Sequence, residues 1–200
     1  MLREVAVTRQ RGRRHLAAAR LMLVLLALGF PLPLAGQSQR PTLPPLEFAG
    51  FTPGMSLAGI RRQVRAAGGP ALICRRSRAD TLVVDCRGRL PAHDGMPALE
   101  VWLSAMDGRA GILALAGQVD SAGLDHWRRS LSARYGAVRA SAQGSQRMMQ
   151  WVRRGTMIRL TWRAEGARPL LSLSLVDGHI LDGWGQARQG EDIAKDTVTR

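Results

Sequence analysis

Few residues in this chain have the type and spacing to do chemistry. His93-Asp94 sets an imidazole beside a carboxylate in a Pro/Gly loop, where one side chain could act as a base and the other orient it. The ordinary reading of such a pair is a solvated loop. Asp125 and His126 are neighbours on a helical segment and point different ways. His179 follows Asp177-Gly178, a turn signal where exposed polar residues are common. Asp107 and Asp177 imitate a carboxylate pair, but each precedes a glycine and is explained by its turn. The chain contains no Gly-x-Ser-x-Gly elbow, no His-Glu-x-x-His pair and no phosphate loop. These residues assign no catalytic site, metal site or cofactor.

Cys74 and Cys86 are the only cysteines and are too far apart for a Cys-x-x-Cys redox motif. No histidine stands at ligand spacing to them. They lie on two β-rich runs, residues 71–76 and 81–86. A hairpin centred on Asp80 sets Cys74 opposite Cys86 and Arg75 opposite Asp85. Cβ atoms of direct cross-strand partners are close enough for a disulfide.

Binding chemistry is better represented. Trp102 occupies a strand position flanked in alternation by Glu100 and Ser104, so it shares their polar face. Arg159 and Arg163 hold the same kind of position on a later strand. A rigid aromatic with arginines is the composition favoured at interface centres. Trp102, Glu100, Arg159 and Arg163 are therefore the candidate binding residues. Trp127 and Trp162 fall on apolar stripes and read as core.

The elements that must position these residues come in a repeating order. Leu57–Val64 aligns with Leu124–Leu131, and Gly69 with Gly136, 67 positions further on. Leu103–Gly108 aligns with Leu173–Gly178, 70 positions on. A repeat of this length predicts one supersecondary unit used twice. In the first unit Ser56 caps a helix with the stripe Leu57, Ile60, Val64 and Ala67, ended by Gly68-Gly69-Pro70. The cysteine hairpin follows, then a hairpin joining Leu99–Met106 to Ile112–Ala116 through Asp107-Gly108. In the second unit the helix stripe is Leu124, Trp127, Leu131 and Tyr135, and a polar loop spans Ser141–Gln146. Strands at Gln150–Arg153 and Thr156–Arg163 turn at Arg154-Gly155, and Leu170–Val176 turns back into His179–Leu181.

The expected fold class is α+β: two tandem repeats, each one helix plus about four antiparallel strands, with helices on one sheet face. The expected divisions are a signal segment at 1–36, a Pro-rich linker at 37–50, repeats at 51–118 and 119–184, and a polar tail at 185–200. Phe48 and Phe51 dock the linker onto the fold. A unit of roughly 65–70 residues is marginal alone, so the two must share a core or a continuous sheet. Leu99, Val101, Leu103 and Ala105, with Ile158, Leu160 and Trp162 and with Leu171, Leu173 and Leu175, pack beneath the helices.

Gly54-Met55-Ser56, Gln63-Val64, Gly69, Cys74 and Cys86-Arg87-Gly88 resemble the tandem modules of the secreted β-lactamase inhibitor proteins. They also resemble the outer-membrane assembly lipoproteins of the BamE/SmpA type. The resemblance covers most of Thr52–Trp184 as a pattern, with its residue matches mainly in the first repeat. It implies helices on one side of an antiparallel sheet and a second side free to bind protein.

The N-terminus reads as an export signal. Six arginines precede the apolar run Leu21–Phe30, Pro31 and Pro33 break it, and Leu34-Ala35-Gly36 offers small residues for cleavage. The apolar run is short for a span of ~20 residues. The alternative is an uncleaved membrane anchor. The formal charge is +14, of which the signal holds six arginines and one glutamate, leaving about +9 from Gln37 onward. Those arginines are scattered, few aromatics interleave with them, and an exported protein rarely meets nucleic acid. The expected location is periplasmic or secreted, in a bacterial envelope. The expected function is a non-enzymatic protein-binding module with an unknown protein partner in the envelope, inhibitor-like or scaffolding. The alternatives are a small envelope hydrolase using His93 and Asp94, and a membrane-tethered structural protein.

Overall fold

The computed structural model describes residues 43–93, 95–163 and 168–186. The signal segment, Asp94, and the tail beyond residue 186 lie outside them, as does the linker up to residue 42. The elements in chain order are α1 (Leu57–Ala66), β1 (Ile73–Arg76), β2 (Val83–Leu90), β3 (Leu99–Met106) and β4 (Arg109–Gln118). Then come α2 (Ser121–Tyr135), β5 (Ser141–Gln143), β6 (Gln146–Arg153), β7 (Thr156–Arg163) and β8 (Leu170–Asp177). A further helix, α3, occupies residues 178–186.

The expectation of two units, each a helix plus four strands, does not hold. All eight strands form one antiparallel sheet in the order β1-β2-β3-β4-β8-β7-β6-β5, and there is a third helix. The central seam joins β4 to β8 in register from Ile112↔Val176 to Gln118↔Leu170. Both strands alternate, with Leu113 and Leu115 on one and Leu171, Leu173 and Leu175 on the other almost fully buried. Hydrogen bonding along that seam joins their buried sides into one continuous surface.

Two more corrections concern local chemistry. Gly178 and His179 do not return as a strand. The side chain of Asp177 accepts from the backbone N–H of His179 (3.0 Å) and Ile180 (3.3 Å), capping α3 instead of making a hairpin turn. The stretch expected as a polar loop is the short strand β5, a turn at Gly144-Ser145 and the start of β6.

Elsewhere the local signals act as read. Ser56 Oγ accepts from Gly59 N at 3.1 Å at the start of α1. Asp107 and Gly108 both have positive φ, 48° and 72°, which matches the right-handed twist of the strands they join. Arg154 and Gly155 repeat this with 47° and 75°. In β3–β4 the register shifts between Ser104 and Ala105, and Gly111 is the extra residue of that bulge.

The core lies between one sheet face and helices α1 and α2. Ile60 and Val64 from α1 and Leu124, Trp127, Leu131 and Tyr135 from α2 join the alternate residues of β2–β4 and β6–β8 in one cluster. Trp127 and Trp162 belong to it, as expected. The end of the linker closes the helical side. Phe51 is fully buried, Phe48 bridges to it and packs on Trp127 with ring centroids 4.7 Å apart. Tyr135 Oη donates to the Glu47 carbonyl (2.5 Å) and accepts from the Glu47 N–H (2.8 Å), satisfying one residue's backbone from both sides.

Candidate functional site

The sheet face away from α1 and α2 is open. Residues at alternate positions of each strand meet across it in rows. One row runs Ile73, Arg87, Trp102, Ala114, Ser174, Arg159 and Gln150. A second runs Arg75, Asp85, Ser104, Ile112, Val176, Met157 and Val152.

Trp102 is 51% exposed. The guanidinium of Arg87, its direct partner on β2, lies 4.6 Å from the ring centroid. This stacking holds the indole while leaving its other face to solvent. Glu100 is opposite Arg89, which donates to Glu100 Oε1 from Nε (3.0 Å) and from Nη2 (2.6 Å). Asp85 accepts from Ser104 Oγ at 2.7 Å. Ile73, Arg75, Trp102, Ser104 and Ile112 line a depression of about 520 Å³ on this face.

Trp102 and Arg159 stand in one row, three strands apart, which is about 14 Å at the usual strand spacing. Arg159 is half-buried. Its Nη2 faces Gln150 Oε1 (3.3 Å) and Met157 Sδ (3.7 Å), both uncharged. Arg163 is on the same face one strand end away, level with Leu170 and Gln146. Glu100 and Trp102 therefore form one cluster, and Arg159 and Arg163 the far side of the same face. Thr161, which alternation places on the same side as Arg159 and Arg163, is only 8% exposed. Its short side chain lies in a row between Ser172 and Met148.

Sequence reasoning missed Arg87 and the apolar fringe. Ile73, Trp102, Ile112, Val152 and Leu170 are five of the seven large apolar side chains exposed among the described residues, and all five are on this face. Arg87 was legible from the cysteine hairpin, because it stands two positions from Asp85 and so shares its side. The face holds Arg75, Arg87, Arg89, Arg159 and Arg163 against Asp85 and Glu100, a net positive surface.

The alternative chemistry finds little support in the geometry. His93 Nδ1 lies 3.2 Å from its near neighbour Pro91 O, and the Asp94 of the proposed pair is outside the described residues. His126 Nε2 is 3.5 Å from Ser130 Oγ, an exposed contact one helical turn apart. The adjacent Asp125 is engaged by Arg128 at 2.9 Å and does not orient that imidazole. His93 and His126 line one recess of about 760 Å³ with Asp120 and Arg168. Among the described residues no cluster of three or more His, Cys, Asp or Glu is placed to hold a metal ion.

The disulfide Cys74–Cys86 is formed, in the register read from the sequence, and ties edge strand β1 to β2 from the helix-covered side of the sheet. Among the described residues no helix is long and apolar enough to cross a membrane. In comparisons with known proteins, no family model, curated protein or solved structure matches the chain.

Proposed function

We propose that this chain is an exported, non-enzymatic binding module that presents its open sheet face to a protein partner in the periplasm or outside the cell. The observation that carries the reading is that five of the seven exposed large apolar residues among those described lie on that face, with Ile73, Trp102 and Ile112 gathered around the depression at the Arg87–Trp102 stack. Monomeric proteins rarely expose contiguous apolar patches without using them. Aromatic and arginine residues are those enriched at interface centres. The net positive charge of the face favours a partner with an acidic surface. The disulfide supports an oxidising compartment. The resemblance to the inhibitor and assembly modules supports the same use of the sheet.

The test compares proteins captured from envelope extract by the wild type, by Trp102→Ala and by a helix-side control, Arg129→Ala. A partner retained by the wild type and the control and weakened roughly tenfold or more by Trp102→Ala supports the reading. A partner whose binding survives loss of Trp102 but not of Arg129 places the interface on the helices and overturns it.

A further inference from the structure

The open face ends at a second, more enclosed space that the protein-binding reading does not use. Helix α3 closes over the bulged end of β3–β4 and the β1–β2 turn, leaving a cavity of about 290 Å³. Its walls are mainly apolar, with Ile112 on the sheet side and Ile180, Leu181 and Trp184 on the helix. Gly111 lets the helix come this close, since a Cβ there would stand 2.8 Å from Leu181 Cδ2. The far wall is pinned: the Trp184 indole N–H donates to Asp80 Oδ2 at 2.8 Å. Asp85 and Ser104 line both this cavity and the depression beside Trp102, so they form the lip between the two.

We propose that this cavity is a binding site for a small, uncharged, apolar ring molecule carrying one hydrogen-bond donor. Size, walls and lip each contribute. An apolar cavity of ~150 Å³ holds one benzene ring, so about twice that volume takes a fused two-ring body. Apolar walls penalise any charged group that must shed its water. At the lip, one carboxylate oxygen of Asp85 is taken by Ser104, and the other has no hydrogen-bond partner among the described residues. That oxygen receives a donor. An anionic group meets the two carboxylates that line the cavity, Asp80 and Asp85, and a cationic group must shed its water against walls that are otherwise apolar. A neutral donor satisfies the free Asp85 oxygen without either cost. Ligand pockets of this kind, apolar with a few placed polar groups, are the usual form of small-molecule sites.

The probe is 2-naphthol, with 2-methylnaphthalene, 2-naphthoate and 2-naphthylmethylamine as the donor-free, anionic and cationic comparators. Binding is followed by calorimetry and by the indole N–H resonance of Trp184. The expected result is that 2-naphthol binds tightest and shifts the Trp184 signal. Asp85→Ala then weakens it about tenfold or more while leaving 2-methylnaphthalene unchanged. Ala79→Phe, an exposed turn position lining the cavity, abolishes binding of both. Trp102→Ala changes neither, which separates this site from the open face. Each variant is checked for cooperative unfolding well above the assay temperature and for an intact disulfide. Absence of any Trp184 response, indifference to Ala79→Phe, or tighter binding of either charged comparator overturns the proposal.

Discussion

Replacing Cys74 and Cys86 together by alanine measures what the cross-link contributes to the edge of the sheet. The two cysteines are 12 residues apart, and a loop of that size contributes about 3 kcal/mol by restricting the unfolded chain. Cys86 is also 1% exposed within the core, so trimming its sulfur leaves a small void that costs roughly 1 kcal/mol more. The β1–β2 ladder itself remains, with its four residue pairs, and so does the Asp80 cap on Leu82 N (2.9 Å). The double variant should therefore fold and unfold cooperatively with about 4 kcal/mol less stability, a melting temperature lower by roughly 10 °C or more. Urea unfolding followed by tryptophan fluorescence makes the measurement on three samples: oxidised wild type, reduced wild type and the double variant. Reduction alone should remove about 3 kcal/mol, and the difference between the reduced protein and the variant isolates the sulfur packing. Hydrogen exchange at the amides of Ile73 and Arg75 should accelerate in both altered samples. A loss below about 1 kcal/mol on reduction, with two-state unfolding retained, would refute the chain-restriction argument for this hairpin.

Trp102→Ala removes a half-exposed ring and should cost about 1–2 kcal/mol, whereas Trp127→Ala, at 6% exposure, should cost about 3–5 kcal/mol; equal drops in melting temperature would make Trp102 a core residue. Tyr135→Phe leaves both backbone groups of Glu47 without their partner, so stability should fall by about 1–3 kcal/mol and proteolysis near residue 47 should quicken. Gly108→Ala and Gly155→Ala face the same positive-φ penalty of about 1 kcal/mol, but only at Gly155 does the new Cβ meet a neighbour, His179 Nε2 at 2.4 Å. Thermal melts of the two variants should therefore differ, with Gly155→Ala the less stable; the reverse order would contradict the placement of α3.

Local rules carried the sequence reading a long way. The cysteine register, the Asp107-Gly108 and Arg154-Gly155 turns, the Ser56 cap and the Leu124–Tyr135 stripe were legible because each is settled by neighbours in sequence. The misses arose where distant contacts decide. Asp177-Gly178 has the composition of a turn, but α3 finds apolar ground on the β3–β4 bulge, and Asp177 becomes its cap. The single sheet depends on β4 meeting β8, a pairing that no local pattern encodes. The same holds at the candidate site. Alternation found Trp102 and Glu100, and only the register across strands brought Arg87, Ile73 and Ile112 beside them.

The β4–β8 seam also sets a schedule for folding. Its paired residues are 52 to 64 positions apart, so the centre of the sheet is among its least local contacts. Until Leu170–Asp177 has been synthesised, β4 is an open edge with Leu113 and Leu115 uncovered on its β8 side. At ordinary elongation rates, the residues between Gln118 and Asp177 take about 3–12 s to appear. Throughout that interval the nascent chain carries an unpaired, apolar strand edge of the kind that recruits other strands. A chain stopped short of Leu170 never leaves that state. Its hazard is therefore aggregation through β4 rather than simple loss of the last strand.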